Sequence, residues 1–327
     1  MPPKDLASAD PDSRFPADLV YRAAQLYYLE GATQADVATA LGTSRPTVSR
    51  LLAHARASGV VHIEVREPGP PGQDGLAERL ATALGLHRAW VTASTTGLPV
   101  GRVLAPAVGE ALRAAELGQG DALLISSGAT VYAVAQHDLA RLPGVLVAPT
   151  VGGRDEPESF HQTNEITRQI AVRAEAAPVF LYAPAMPGPA LHQSLLADAS
   201  IRRVTMLWRT ARCALLGIGA PPSTRSSLPF LLRSEGASVA RAVGDICSRP
   251  FDTDGEPIVS PGSDRLVAMG LDDLRRVPHA IGVAVGADKV ASIRAAARAG
   301  WVNELVTDRD TAQLLVDASA TASGPSR

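Results

Sequence analysis

The sequence has few cysteines, few lysines and few aromatic residues, and it has no long apolar run. Cys213 and Cys247 are the two cysteines among 327 residues, so neither a disulfide framework nor a cysteine-rich metal site is expected. No apolar stretch approaches the roughly 20 residues that a membrane-spanning helix requires. The N-terminal residues also lack the apolar segment of a signal peptide. We therefore expect a cytoplasmic protein that does not bind membranes.

The chain also lacks a strong net charge, since 31 lysines and arginines are balanced by 33 aspartates and glutamates. This balance excludes a globally basic nucleic-acid coat protein and an acidic disordered chain, but it is compatible with a small basic patch. Lysine is scarce, because Lys4 and Lys289 are the two in the sequence. A chain of 327 residues exceeds a typical domain of roughly 100–200 residues, which predicts one small and one large domain.

Composition and periodicity divide the chain into five segments. The ends are polar and lack periodicity, which predicts disorder, and a stretch with three glycines and three prolines predicts a linker. The predicted segments are a disordered tail at 1–16, a helical domain at 17–66, a linker at 67–75, a large domain at 76–318 and a disordered tail at 319–327.

In the large domain, short aliphatic runs alternate with longer helical ones. Aliphatic strands separated by helices predict an α/β fold in which helices cover both faces of a parallel sheet. The predicted strands are 89–93, 122–126, 145–149, 179–183, 213–219, 280–285 and 304–307. The predicted helices are 101–115, 130–141, 164–177, 191–200 and 288–299, and residues 244–252 are predicted to form a loop.

The small domain is predicted to contain three capped helices. Thr33 and Asp36 form a capping-box pattern ahead of the second helix, and Ser44 is placed to cap a third helix that begins with Arg45 and Pro46. Apolar residues at helical spacing give the first helix a buried face, namely Leu19, Ala23, Leu26, Tyr27 and Leu29. This arrangement is typical of a helix-turn-helix.

The third helix carries polar side chains near its N-terminus, where a recognition helix contacts the major groove of DNA. Arginine pairs with guanine, and serine or threonine contacts phosphates or bases. Residues 37–63 contain three arginines and no acidic residue, and the alternating run at 60–65 is placed like the first strand of a winged-helix hairpin. The residues predicted to contact DNA are Gln34, Thr43, Ser44, Arg45, Pro46, Thr47, Ser49 and Arg50. On the pattern alone, a helical hairpin with a solvated face remains the alternative.

Several junctions between predicted strands and helices carry small polar residues, and such junctions suit anions. A lysine in the first turn of a helix opposes the helix dipole, so Lys289 indicates a nearby anionic ligand, with a solvated surface lysine as the alternative. Asp245 could accept hydrogen bonds from sugar hydroxyls or could serve only as a turn residue. Gln162 could reach a ligand hydroxyl.

Several runs are more specific than these patterns. SRPTVSRLL at 44–52 and ARxxGxVxIxV at 55–65 resemble the N-terminal domain of the SorC-type sugar-binding transcriptional regulators. GDALLISSGATVYAVA, TNEITRQIA and GADKVASI resemble motifs of the same family, and the resemblance spans nearly all of 76–316. It implies a winged-helix-like domain and a Rossmann-like effector domain, which is related to glucosamine-6-phosphate deaminases and ribose-5-phosphate isomerases and binds phosphorylated sugars.

Junctions and resemblance together give a set of predicted effector-binding residues, and the resemblance implies that Lys289 holds a phosphate. The set comprises Ser126, Ser127, Gly128, Ala129, Thr130, Gly152, Gly153, Gln162, Asp245, Gly286 and Lys289. The first loop lacks the aromatic residue and the cation usual in the family, and Val151 stands where some members have an arginine for a second phosphate. A small sugar, a polyol or a sugar monophosphate is therefore expected rather than a bisphosphate, with no cofactor and no metal.

A sugar-phosphate isomerase or deaminase with a fused helical domain is the competing class. The deaminases follow a GxG turn with Asp-Gly-His, whereas Gly217-Ile218-Gly219 is followed here by Ala220-Pro221, without a carboxylate or an imidazole. The sequence therefore predicts a transcriptional regulator and not an enzyme. The resemblance implies dimers or tetramers. Two copies would bind a double-stranded pseudo-palindromic operator with half-sites whole turns of about 10–10.5 bp apart.

Overall fold

The computed structural model describes residues 15–61, 75–154, 156, 158–224 and 241–322. The chain divides into two compact units, one within residues 1–70 and one within 71–327. Each unit has a hydrophobic core of its own. The predicted tail at 1–16 and the predicted linker at 67–75 lie almost entirely outside the described residues.

The described part of the first unit folds into three helices, the first of which ends in a π-helical turn. Val20, Ala23, Val37, Val48 and Leu51 are at most 2% exposed and share one core. Short helices are marginal alone in water, so burial of this apolar face accounts for their stability. The helices are Ala17–Ala24 (α1), Gln34–Ala40 (α2) and Arg45–Ala57 (α3), with the π-helical turn at Gln25–Leu29.

The caps predicted for this unit are confirmed. Thr33 Oγ1 accepts a hydrogen bond from the Asp36 N–H at 3.3 Å, and the Asp36 carboxylate accepts one from the Thr33 N–H at 3.0 Å. Hydrogen bonds from the Thr33 hydroxyl and backbone hold the pKa of Asp36 below its ordinary value. Ser44 Oγ accepts from the Thr47 N–H at 3.3 Å and so caps α3. Gly42 turns the chain between α2 and α3 at a φ of 60°, which glycine adopts without steric cost.

Two other expectations for this unit, the burial of Leu29 and a strand at 60–65, are not confirmed. Leu29 was predicted to face the core but is 80% exposed, because it ends the wider π-helical turn, where the α-helical spacing no longer applies. Val60 and Val61 form a bend after α3, and the rest of the run predicted as a strand, 62–65, lies outside the described residues. The wing therefore stays a prediction.

The second unit is built on a parallel sheet. Its strands are Arg88–Thr92 (β1), Ala122–Ile125 (β2), Leu146–Pro149 (β3), Ala177–Pro178 (β4), Cys213–Gly217 (β5), His279–Val283 (β8) and Glu304–Asp308 (β9), while Gly244–Ile246 (β6) and Arg249–Phe251 (β7) form a separate antiparallel hairpin. Within the described residues, the sheet has the order β1-β9-β8-β5-β2-β3-β4. Leu124 lies opposite Ala148 on β3 and Ala214 on β5.

Both faces of the sheet are buried, as the aliphatic runs predict. Leu123, Ile125 and Leu215 belong to the core on one face, and Leu124 and Leu216 to the core on the other. The helices of this unit are Leu76–Leu84 (α4), Val100–Ala114 (α5), Ala129–Ala135 (α6), Thr163–Arg173 (α7), Pro189–Ala197 (α8), Ala199–Thr210 (α9), Leu271–Leu274 (α10), Val290–Arg298 (α11) and Arg309–Ala322 (α12). Since the strands are parallel, the loops after β2, β5 and β8 meet at one edge of the sheet.

The strand predicted at 179–183 is wrong. Strand β4 covers Ala177–Pro178, before the predicted run. The Asn164 side chain bonds both the N–H and the C=O of Leu181, at 3.0 and 3.1 Å. A side-chain amide thus satisfies the backbone of Leu181 in place of a neighbouring strand, and no local sequence pattern predicts this contact.

Three further expectations are corrected. The helix predicted at 191–200 is two helices, α8 and α9, because the Asp198 carboxylate accepts from the Ser200 N–H at 2.7 Å and caps a new helix. The loop predicted at 244–252 contains the β6–β7 hairpin. The polar tail predicted from 319 is helical through 322, since α12 continues to that point, and residues 323–327 lie outside the described residues.

Candidate functional site

In the first unit, the polar face of α3 is accessible as predicted. Arg45, Ser49 and Arg50 are exposed, and Thr47 is half-buried, with its hydroxyl 2.9 Å from Ser44 Oγ. Arg50 Nε donates to the Pro46 carbonyl at 3.4 Å, which leaves the guanidinium on the surface. Among the other residues predicted to contact DNA, Gln34 and Thr43 are half-buried, and Ser44 and Pro46 are exposed. This helix presents cationic and hydroxyl side chains of the kind that contact DNA.

In the second unit, a cavity of about 210 Å³ lies where the loops after β2, β5 and β8 meet. It brings together six of the predicted effector-binding residues: Ser127, Gly128, Ala129, Thr130, Asp245 and Lys289. Its other lining residues were not predicted and are Arg154, Phe160, His161, Gly217, Ile218, Gly219, Ala220, Cys247 and Ser248. The cavity is therefore assembled from segments between 127 and 289 by the sheet topology.

Lys289 crosses between two of these loops. It ends the 3₁₀ turn Ala287–Lys289 and precedes α11, so it stands one position before the helix rather than in its first turn. Its Nζ donates to Thr130 Oγ1, at the start of α6, at 3.3 Å. This contact places an ammonium group and a hydroxyl side by side at the cavity, an arrangement that suits an anionic ligand.

Ser126 shapes the site without lining it, which corrects its predicted role. It is 1% exposed, and its Oγ accepts from the Gly217 N–H at 2.7 Å and donates to the Ser127 carbonyl at 3.1 Å. The hydroxyl therefore ties the loop after β2 to the end of β5. Next to it, Gly128 has a φ of 138°, which side-chain-bearing residues rarely adopt.

The three other predicted glycines are also absent from the cavity lining. A Cβ on Gly152 would lie 2.6 Å from the Ala183 carbonyl oxygen, and the Gly153 N–H donates to that same carbonyl, so both serve close packing. Gly286 has a φ of 118° and donates its N–H to Thr311 Oγ1 at 2.8 Å, which fixes the turn before Lys289.

Gln162 was predicted to contact the ligand, and the structure gives it another role. Its amide donates to the carbonyl oxygens of Arg154 and Glu156 at 3.3 and 2.5 Å. In turn, the Arg154 guanidinium makes a bidentate pair with Glu156 at 3.0 and 3.1 Å, with both side chains nearly buried. Gln162 thus holds the segment that brings Arg154 to the cavity, and the charge of Arg154 is balanced within the chain.

His161 and the turn of the β6–β7 hairpin complete the lining. Burial, followed by the charge of Arg154, lowers the pKa of His161, so the imidazole is neutral at neutral pH. Cys247 and Ser248 form the hairpin turn with positive φ values of 49° and 63°. Sequence reasoning missed them because no pattern joins Phe160 and His161 to a turn more than 80 residues later.

A second, wider cavity of about 450 Å³ lies beside the β6–β7 hairpin and contains none of the predicted residues. Its two arginines are engaged within the chain. The Arg249 guanidinium donates to the carbonyls of Met269 and Ala268, and Arg275 pairs with Asp272 at 3.0 Å. We therefore take the smaller cavity, which contains Lys289 and Asp245, as the candidate site.

The described residues contain neither a candidate metal site nor a candidate membrane span. No three His, Cys, Asp or Glu residues among them form a cluster that could hold a metal ion, and none of their helices is long and apolar enough to cross a membrane. Cys213 and Cys247 are free and buried. Burial raises the pKa of both thiols, that of Cys247 to about 11, so neither is a thiolate at neutral pH.

Comparison with known proteins agrees with the two units. A family model described as "Putative sugar-binding domain" matches residues 71–317, and one described as "Homeodomain-like domain" matches residues 17–62. The sorbitol operon regulator of Klebsiella pneumoniae is 30% identical over 309 residues, which cover 91% of this chain and 97% of that protein. The chain belongs to the SorC family of transcriptional regulators.

Another relative and a solved structure also match nearly the whole chain. The deoxyribonucleoside regulator of Bacillus subtilis (strain 168) is 32% identical over 310 residues, covering 91% of this chain and 97% of that protein. The crystal structure of full-length SorC from Klebsiella pneumoniae matches with a TM-score of 0.76 and 29% identity, over 91% of this chain and 98% of that one. This chain matches these regulators over nearly their whole length. The SorC-family chain is therefore a transcriptional regulator and not an isomerase or deaminase.

Proposed function

We propose that this regulator binds operator DNA through α3 and that a sugar monophosphate in the cavity of the second unit controls this binding. The observation that carries the proposal is the convergence of Lys289, Thr130 and Asp245 on one cavity. A cation beside a hydroxyl suits a phosphate, and a carboxylate suits sugar hydroxyls. The relatives are named for a sorbitol operon and for deoxyribonucleosides, which supports a ligand of this class.

The size and charge of the cavity favour a small ligand with one phosphate. At about 210 Å³ it is below the roughly 300–1,000 Å³ of pockets for drug-sized ligands. Lys289 and Arg154 supply two positive charges, which Asp245 and Glu156 match. Val151, where a second phosphate-binding arginine would stand, is 1% exposed in an apolar cluster. A bisphosphate would therefore bring about twice the uncompensated negative charge of a monophosphate, whereas a sugar or a polyol would bring none.

For DNA, the exposed Arg45, Ser49 and Arg50 support contact through the N-terminal half of α3. We assign DNA binding to residues 17–66, ligand binding to 76–318 and their connection to 67–75. Helix α3 offers few contacts, so one copy would bind weakly. Two or four self-associated copies on a double-stranded pseudo-palindrome would bind more tightly, with half-sites whole turns of about 10–10.5 bp apart.

Ligand binding changes DNA affinity only if the ligand prefers one arrangement of the protein to another. The loops 126–130 and 286–289 approach each other through the Lys289–Thr130 contact. We propose that an anion between them draws these loops together, and that this closure provides the preference.

A thermal-shift screen tests the ligand class. The full-length chain is mixed with pentose and hexose monophosphates, with the parent sugars and polyols, and with a sugar bisphosphate. A monophosphate should raise the melting temperature more than its parent sugar or the bisphosphate. A panel without any shift would overturn the proposed ligand class, and isomerase turnover on a bound sugar phosphate would contradict the regulator assignment.

A further inference from the structure

Two buried polar atoms of the cavity lining have no hydrogen-bond partner in the described part of the chain: His161 Nε2 and Ser248 Oγ. Such atoms are uncommon in folded proteins, because burial costs them their hydrogen bonds to water. Both residues line the same cavity as Lys289 and Asp245. A molecule bound in this cavity can supply the partners that the described part of the chain does not.

His161 lines this cavity and carries a neutral imidazole. The residue is 8% exposed, and its ring packs against Phe160 with centroids 4.4 Å apart. Burial and the charge of Arg154 lower its pKa. The groups that oppose this shift are Glu156, Glu158 and Asp245. A neutral imidazole has one nitrogen that donates and one that accepts, which suits a hydroxyl group better than a phosphate dianion.

Ser248 is brought to the cavity by a strained turn. It follows Cys247 in the two-residue turn of the β6–β7 hairpin, and both have positive φ. Turns of this kind favour Asn-Gly, so a cysteine and a serine at positive φ carry a conformational cost. The turn brings Ser248 to the cavity lining, and a serine hydroxyl both donates and accepts, as a sugar hydroxyl does.

We propose that His161 and Ser248 determine the specificity of the effector site by hydrogen-bonding hydroxyl groups of the sugar. The inference rests on the proposed function, in which Lys289 holds the phosphate. Asp245, on strand β6, adds a carboxylate acceptor to the same cavity. The ligand therefore lies with its phosphate at Lys289 and its hydroxyl-bearing carbons toward His161 and Ser248.

Calorimetry on the full-length chain tests whether His161 and Ser248 bind the hydroxyl groups while Lys289 binds the phosphate. The probes are D-ribose 5-phosphate, D-glucose 6-phosphate and D-sorbitol 6-phosphate. The binding of inorganic phosphate is measured separately by ³¹P NMR titration. His161→Phe keeps a ring of similar shape, and Ser248→Ala removes only the hydroxyl. Each should weaken the tightest sugar phosphate by about tenfold and leave inorganic phosphate unchanged. Ser194→Ala, at an exposed position on α8, is the matched control and should change neither.

Deoxy analogues of the tightest probe separate recognition from a structural effect. A variant that has lost a hydroxyl contact should bind the matching deoxy analogue as well as the unmodified chain does, and His161→Gln should recover part of the lost affinity. Equal weakening toward every analogue and toward phosphate, or no weakening at all, would overturn the specificity role and leave the proposed function standing. If the unmodified chain bound no sugar phosphate, the proposed function would fail, and this inference with it.

Discussion

The two units present their candidate functional side chains in different ways. In the first unit, most of the side chains predicted to contact DNA lie at residues 44–50, at the N-cap and in the first turns of α3, where local caps and helical spacing set their positions. The second unit gathers its lining from segments between 127 and 289, and these meet only because parallel strands end at one edge of the sheet. A contiguous site can thus be inferred from sequence, whereas an assembled one depends on long-range contacts.

The largest effect is expected at the assembled site, for Lys289→Ala. Loss of the ammonium group beside Thr130 should weaken sugar-phosphate binding by about 2–3 kcal/mol, or roughly 100-fold, because a charge-assisted contact is removed. Operator affinity without ligand should stay unchanged, since Lys289 belongs to the other unit. Isothermal titration calorimetry measures the loss. Lys289→Met, which keeps the apolar stem, should show the same loss. Retained affinity in both variants would show that Lys289 does not bind the phosphate.

The corresponding change at the contiguous site is Arg50→Ala. If Arg50 pairs with a base, operator binding should weaken by about 1–3 kcal/mol and specificity at that position should relax, without any change in ligand affinity. Fluorescence anisotropy with operator fragments measures both. Arg56→Ala, in the last turn of the same helix, is the control and should weaken all DNA sequences slightly and equally. An equal effect of the two substitutions would argue against base contact by Arg50.

A smaller effect is expected from Asp308→Asn, which tests a contact between distant segments. Asp308 is 3% exposed and accepts hydrogen bonds from Thr95 and Thr311. Burial raises its pKa, but these hydrogen bonds outweigh burial and leave the pKa below the ordinary value of 3.8. The substitution should lower the free energy of unfolding at pH 7 by about 2 kcal/mol.

The pH dependence of this loss checks its cause. A carboxylate with a lowered pKa stabilises the fold above about pH 3.8 and ceases to do so as the pH falls through its folded value. Urea unfolding should therefore show a gap between Asp308→Asn and the unmodified chain at pH 7 that narrows below pH 4. A gap that stayed constant down to pH 3 would show that the charge of Asp308 is not responsible.

The smallest effect is expected from Ser44→Ala, which removes a local cap. Loss of the hydrogen bond from the Thr47 N–H to Ser44 Oγ should destabilise the first unit by about 1 kcal/mol. Thermal unfolding followed by circular dichroism measures the change. Ser44→Asp should restore the lost stability, because aspartate also caps helices. A loss larger than that of Asp308→Asn would reverse the contrast between local and assembled contacts.

Much of the fold follows from sequence because its signals are local. Thr33 and Ser44 cap their helices as expected, and the aliphatic runs around Leu124 and Leu216 lie in the sheet. The errors arise where a distant group decides. The Asn164 side chain, and not a neighbouring strand, satisfies the backbone of Leu181 within the run predicted as a strand.

The same division holds within the candidate site. Lys289 and Asp245 were predicted because each stands in a recognisable junction or motif, and the structure brings both to one cavity. Gln162 was placed at the ligand, but its amide is used by the backbone of Arg154 and Glu156. His161 and Ser248 could not be inferred, because only the folded chain shows that their polar atoms are buried without partners among the described residues.

The most direct test of the central claim is the operator affinity of the full-length chain with and without a saturating sugar monophosphate. The account predicts a change of about 5- to 150-fold, the usual range for coupling between two sites, and no such change for Lys289→Ala at the same ligand concentration. Calorimetry on the same samples shows whether ligand is bound. An operator affinity that stayed the same while the ligand occupied the cavity would contradict the claim.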